Sequence, residues 1–237
     1  MCGRYTATQV NPALIADRFG VREEAIPGET LGRFNVCPTE PVLAVTRPGE
    51  AQALRWGMIP PWARALRAGP EPINARSESL REKKLFAPLV AEAGHRCLVV
   101  ADGWYEWLRP ETPKGQRVPF RYTVDGGELF AFAGLWRIGR IGDERIASVT
   151  VLTTAANAVC APVHDRMPVV LSGPEAEAAW LSRDVDGDGA IDLLRPLAAE
   201  RTAVAPANPA VNKAGVEGPE LLVVPEPEAP AQLSLDT

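Results

Sequence analysis

The second residue of this 237-residue chain is a cysteine. Cys2 is small enough for Met1 ahead of it to be removed, which would leave a free α-amine beside the thiol. Such a 1,2-aminothiol traps aldehydes. The amine, with an ordinary pKa of about 7.7–8.0, condenses with the carbonyl to an imine, and the thiol, near 8.5, closes on the same carbon to give a five-membered thiazolidine. A Met-Cys start means little alone, so the weight falls on the polar groups that could serve it.

Three clusters of such groups lie within apolar surroundings. Asn74, Arg76 and Glu78 occur in PINARSES. Glu106 occurs in ADGWYEW, where aromatic neighbours crowd a carboxyl group whose pKa burial would raise toward the range useful for proton transfer. His164, Asp165 and Arg166 occur in PVHDRMPVVL, which sets a titratable imidazole beside a guanidinium suited to phosphate. The four cysteines (Cys2, Cys37, Cys97, Cys160) show no CxxC or Cys/His spacing, and with two histidines in the chain neither a zinc site nor another cofactor is expected. Asp184, Asp186, Asp188 and Asp192 are spaced as in a calcium loop, but Arg195 stands at the twelfth position, where a bidentate Glu is required, so a plain surface turn is expected.

The elements that must position these groups are mostly strands. Residues 41–47, 96–101, 118–124, 129–136 and 145–153 have the β-branched and apolar content of strands. Residues 77–93 read as a helix interrupted near Pro88, and Pro174 opens a second helix over 174–181. Short strands with few helices out of strict alternation predict an α+β fold, a strand-rich single domain with a curled, barrel-like sheet and peripheral helices. The domain is expected over 1–214, followed at 215–237 by a tail rich in Pro and Glu and disordered toward its end. The first residues lack a signal-peptide pattern and no segment has the apolar length to span a bilayer, so a soluble, cytoplasmic, monomeric protein with reduced thiols is expected. The net charge of −5 excludes an indiscriminate nucleic-acid binder. Residues 1–121 nevertheless hold 17 Lys and Arg against 13 Asp and Glu, which leaves room for a local basic groove.

Seven segments in order, MCGRYT (1–6), RFNVCP (33–38), RWGMIPPWA (55–63), INARSE (73–78), ADGWYEW (101–107), TTAAN (153–157) and HDRMP (164–168), resemble the SOS response-associated peptidase family, also called abasic site processing proteins. The resemblance covers most of the chain. It implies a mixed fold around a strand-built core and a positively charged channel for single-stranded DNA containing abasic sites, with replication-fork proteins as further partners. By position it implies that Cys2 is the covalent nucleophile, exposed by loss of Met1, and that Asn74 holds its backbone or the opened sugar. Glu106 would assist the amine and the imine, and His164 the opening of the deoxyribose ring. Arg4, Arg76 and Arg166 would bind flanking phosphates, Pro38 and Trp62 would form a wedge against neighbouring bases, and Arg33 and Asn35 would add DNA contacts. Two departures stand out: Cys37 replaces the family's usual alanine, and Ala63 stands where some members carry a second tryptophan.

The chemistry suits a cap on such a lesion. An abasic site is a masked aldehyde, and a lingering imine breaks the strand by β-elimination; ring closure by sulfur removes the imine. Three other readings compete. An N-terminal-nucleophile hydrolase such as a glutamine amidotransferase also begins Met-Cys-Gly, but position 4 is Arg rather than aliphatic and no glutamine-binding motif follows. A peptidase would use Cys2 with His164 as base, its economical substrate being Met1 itself. A noncovalent DNA-binding module would leave Glu106 and His164 without a task.

Overall fold

The structure, a computed structural model, describes residues 2–108 and 117–225. Among the described residues twelve strands run in the order β1 (Arg4–Ala7), β2 (Arg33–Val36), β3 (Pro41–Arg47), β4 (Glu50–Trp56), β5 (Asn74–Arg76), β6 (Arg96–Ala101), β7 (Gly103–Leu108), β8 (Val118–Val124), β9 (Phe130–Ile141), β10 (Glu144–Ala155), β11 (Arg166–Pro168) and β12 (Thr202–Pro206). The short α-helices among the described residues are α1 (Pro12–Phe19), α2 (Ala87–Ala91), α3 (Pro174–Leu181) and α4 (Gly187–Asp192). The strand-rich α+β class and the barrel-like sheet follow the sequence expectation.

Five strands close into a barrel. The order β10-β4-β3-β6-β9 returns on itself because β9 also pairs with β10 along Glu144–Val151. That hairpin turns through Gly142 and Asp143, with Gly142 at φ 59°, a conformation that costs a glycine little. The barrel strands are apolar on both faces, and alternation sends their side chains to two cores. Leu43, Val45, Leu98, Val100 and Leu135 pack beneath the helices with Trp180. Val42, Ala44, Cys97, Val99 and Phe132 pack toward Tyr5, Trp104 and Tyr122 of a second, open sheet. The open sheet has the order β12-β8-β7-β1-β2. It docks through edge-to-face aromatic pairs, Tyr5 with Trp56 at 5.3 Å and with Phe132 at 5.7 Å.

Some local expectations are corrected. Residues 77–93 do not form one interrupted helix: Ser77–Ser79 is a single 3-10 turn, and the α-helix begins only at Ala87. Pro88 lies in the first turn of α2, where its missing N–H costs nothing, so it opens a helix and does not interrupt one. Strands β9 and β10 run past their expected ends as a long hairpin. In the acidic 184–192 segment, Asp186 caps α4 by accepting from the Gly189 N–H at 2.8 Å, and Asp188 pairs with Arg81 at 2.6 Å. Among the described residues no cluster of three or more His, Cys, Asp or Glu could hold a metal ion. The segment after residue 214 still packs on the fold: Leu221 is buried, and Glu217 bonds to β2. The end of the expected tail, residues 226–237, lies outside the described residues. Among the described residues no helix is long and apolar enough to cross a membrane.

Candidate active site at the N-terminal strand

Cys2 lies two residues before β1, and β1 is the central rail of the site. Its Arg4 pairs with Tyr105 of β7, which brings the start of the chain beside Glu106. A buried carboxylate holds the other end of this rail. Asp102, at the β6–β7 turn, accepts from Thr6 Oγ1 and the Thr8 N–H, each at 2.5 Å, and from Thr8 Oγ1 at 2.7 Å. Arg121 reaches the same carboxylate at 3.3 Å and offsets part of its desolvation. Gly103 is required at this turn, because a Cβ there would stand 2.8 Å from both Thr6 Oγ1 and the Tyr122 carbonyl.

The Cys2 side chain is fully buried, and its thiol donates weakly to the Arg4 carbonyl at 3.7 Å. Burial pushes the thiol well above the ordinary range, and the charge of Glu106 pushes it further. Asn74, the first residue of β5, donates to the Cys2 carbonyl at 2.7 Å. Its other amide atom, Oδ1, is buried and has no hydrogen-bond partner among the described residues. Glu106 is 4% exposed, and burial, helped by the charge of Asp165, raises its pKa to about 7. It therefore stands near half-ionisation at neutral pH. Cys160 also feels the charge of Glu106, which places this loop cysteine within electrostatic reach of the site.

His164 follows in the same loop, its main-chain N–H bonded to the Cys160 carbonyl at 3.0 Å. One ring nitrogen faces two groups: Nδ1 is 3.0 Å from the Arg166 N–H and 2.9 Å from Asp165 Oδ1. A neutral ring accepts from the amide through Nδ1 and carries its proton on Nε2, whereas a protonated ring donates to the carboxylate. Arg166 begins β11 opposite Ala155 and forks onto Glu78 at 2.7 and 2.9 Å, with a further bond to the Thr153 carbonyl at 2.7 Å. Arg76, at the end of β5, is exposed. Asn74, Arg76, Glu78, Lys83, Phe86 and Arg166 line one cleft of about 730 Å³.

The remaining sequence candidates fall in different settings. Arg4 lies over the Trp107 ring at 5.9 Å and donates to Asn35 Oδ1 at 2.8 Å and to the Val211 carbonyl at 2.6 Å. Trp62 is 61% exposed on the loop after β4, and the Arg55–Glu71 pair at 2.6 Å ties the base of that loop. Pro38 is partly buried just beyond β2. Arg33 and Asn35, expected to contact DNA, are both engaged within the fold. Arg33 is held by Glu40 at 2.6 Å and Glu217 at 2.9 Å, and Asn35 is fully buried, donating to the carbonyls of Lys213 and Val216 at 3.2 and 3.0 Å. Both fasten the C-terminal segment to β2. Cys37 is buried beside them and donates to the Asn35 carbonyl at 3.2 Å. Sequence reasoning missed the Asp102 clamp, since an Asp-Gly pair reads first as a turn.

Residues 1–214 match the model of the family described as SOS response associated peptidase (SRAP). The chain is 36% identical over 228 residues to a Bacillus subtilis protein named abasic site processing protein YoqW, covering 94% of this chain and 99% of that one. It is 33% identical over 230 residues to the Escherichia coli abasic site processing protein YedK, covering 94% and 99%. A crystal structure of a Bacteroides thetaiotaomicron protein superposes with a TM-score of 0.74 over 86% of this chain and 91% of that one, at 22% identity, which supports the fold. The chain is a member of the SOS response associated peptidase family.

Proposed function

We propose that this protein processes abasic sites in single-stranded DNA by attaching itself to them through Cys2 once Met1 has been removed. One observation carries the reading: a cysteine at position 2 lies buried beside a carboxyl group with a pKa near 7, its own carbonyl gripped by Asn74. The relatives' names, abasic site processing protein, support the substrate.

In the proposed sequence the α-amine of Cys2 adds to C1′ of the ring-opened sugar. The carbinolamine loses water to an imine, and the Cys2 sulfur then adds to the imine carbon while its proton passes to the nitrogen. Two bonds to C1′ form, C–N and C–S, and one water leaves. Burial keeps the thiol protonated, so the amine makes the first bond. Glu106 is suited to take a proton from the amine and return it to the leaving hydroxyl, because its pKa of about 7 permits both. His164 would exchange a proton with the sugar oxygen during ring opening. Arg76 and Arg166 in the cleft, and Arg4 over Trp107, would hold the flanking phosphates, with Trp62 and Pro38 against a neighbouring base.

Mixing the Met1-free protein with a single-stranded oligonucleotide containing one abasic site tests this directly. A denaturant-resistant species should form, with the summed mass less one water, and none should form with the intact oligonucleotide. Absence of that species, or release of ammonia from glutamine instead, would overturn the reading.

A further inference from the structure

We infer that Glu78 is a built-in counterion that occupies the phosphate position of the cleft and must yield it to DNA, so that it limits how tightly undamaged strands are held. This rests on the proposed DNA-processing reading and extends it to a residue with no place in the chemistry of the adduct.

The cleft holds three cationic side chains, Arg76, Lys83 and Arg166, and one carboxylate, Glu78. That carboxylate meets Arg166 with both oxygens, at 2.7 and 2.9 Å, which is the fork geometry a phosphate would adopt on the same guanidinium. The two partners differ in exposure: the Arg166 side chain is 12% exposed and that of Glu78 is 53% exposed. Arg166 is also anchored from behind by the Thr153 carbonyl at 2.7 Å, so the fork stays in place if the carboxylate swings away. Glu78 stands in the 3-10 turn directly after β5 and can turn into solvent without disturbing the core. Contact with Arg166, and the charge of Arg76, lower its pKa, so it is ionised at neutral pH.

An incoming phosphate therefore exchanges one anion for another and gains less than it would at a vacant guanidinium. Intact strands have only such contacts to hold them. An abasic strand adds a covalent step that needs only transient docking, so a weaker phosphate site raises selectivity for the lesion at little cost to capture.

The test is equilibrium binding of a fluorescent, intact single-stranded oligonucleotide across a salt series, with the parent, Glu78→Gln, Arg166→Ala and the double variant. Glu78→Gln should bind about three- to tenfold more tightly at low salt, as expected for removal of one competing charge near the surface. Its salt dependence should steepen by no more than about 0.7. The gain should vanish in the Arg166→Ala background, which shows that it acts through that guanidinium. Circular dichroism checks that each variant is folded, and Glu78→Ala repeats the test with a shorter side chain. If the parent crosslinks abasic DNA while both Glu78 variants bind intact DNA no more tightly than it does, Glu78 only props Arg166 and the inference fails alone. A parent that neither binds nor crosslinks DNA would overturn the functional reading and this inference with it.

Discussion

Cys2 and Cys97 are both fully buried, and in both burial drives the thiol far above its ordinary range. Around Cys97 burial is the whole story. It lies on β6 in the barrel wall, against Gly134, where a Cβ would stand 2.8 Å from its sulfur. Around Cys2 the same burial is shared with Glu106 and with the Asn74 amide, and Asn74 in turn lines the solvent-open cleft. Burial alone makes a cysteine inert; a titratable neighbour and a partner residue that reaches a cleft make the same side chain a candidate nucleophile.

Replacing the sulfur at each position breaks the comparison most sharply. Cys2→Ser keeps a residue small enough for Met1 removal and keeps the amine, but its hydroxyl closes the ring poorly. The stable adduct should fall by about a thousandfold or more, and the persisting imine should be trapped by borohydride and cleave the strand by β-elimination. A durable adduct from this variant on a denaturing gel would require another nucleophile.

The next largest effect belongs to the neighbour. Glu106→Gln should slow adduct formation by roughly ten- to ten-thousandfold. It should also raise stability, with a definite pH dependence. The carboxyl pKa is raised to about 7 in the folded protein from 4.5, so the stability linked to it is present below pH 4.5 and is lost as pH rises through 7. The variant should therefore be more stable than the parent by about 3 kcal/mol at pH 8 and close to equal at pH 4, as read by urea unfolding. Equal stabilities at pH 8 would mean that Glu106 is not carrying a burial penalty.

Smaller changes are expected at the arginines. Alanine at Arg4, Arg76 or Arg166 should weaken binding to every DNA sequence alike and flatten the salt dependence by less than about one unit each. Unchanged slopes in all three would count against the cleft as the DNA track. Smallest of all is Cys97→Ala, which should cost about 1 kcal/mol of stability through lost packing and leave the rate of adduct formation unaltered.

Much of the barrel was legible because its strands are continuous apolar runs. The expected spans 41–47 and 96–101 match β3 and β6 of the barrel, 118–124 matches β8 of the open sheet, and Pro174–Leu181 matches α3. Strands β1, β2 and β7 were harder to read. They are short and carry the polar motifs, so their strand character comes from pairing and not from composition. The convergence of Cys2, Asn74 and Glu106 depends on three separate pairings: β1 with β7, β5 with β10, and the Asn74 bond to the Cys2 carbonyl. Such proximity is invisible along the chain. The bonds of Arg33 and Asn35 to the C-terminal segment were just as hard to read, since a motif residue that fastens such a segment has the same polar type as one that binds a phosphate. The fork between Glu78 and Arg166 spans 88 positions, and local reading had no means of pairing them.

The most direct measurement is to identify the attached residue. Abasic single-stranded DNA is incubated with the Met1-free protein, the adduct is denatured and digested with protease and nuclease, and the modified peptide is sequenced by mass spectrometry without any reducing agent. The remnant of the sugar should sit on Cys2, with both the α-amine and the thiol of that residue blocked. A remnant on a lysine, on Cys160, or on the Cys2 thiol with its amine still free would contradict the thiazolidine.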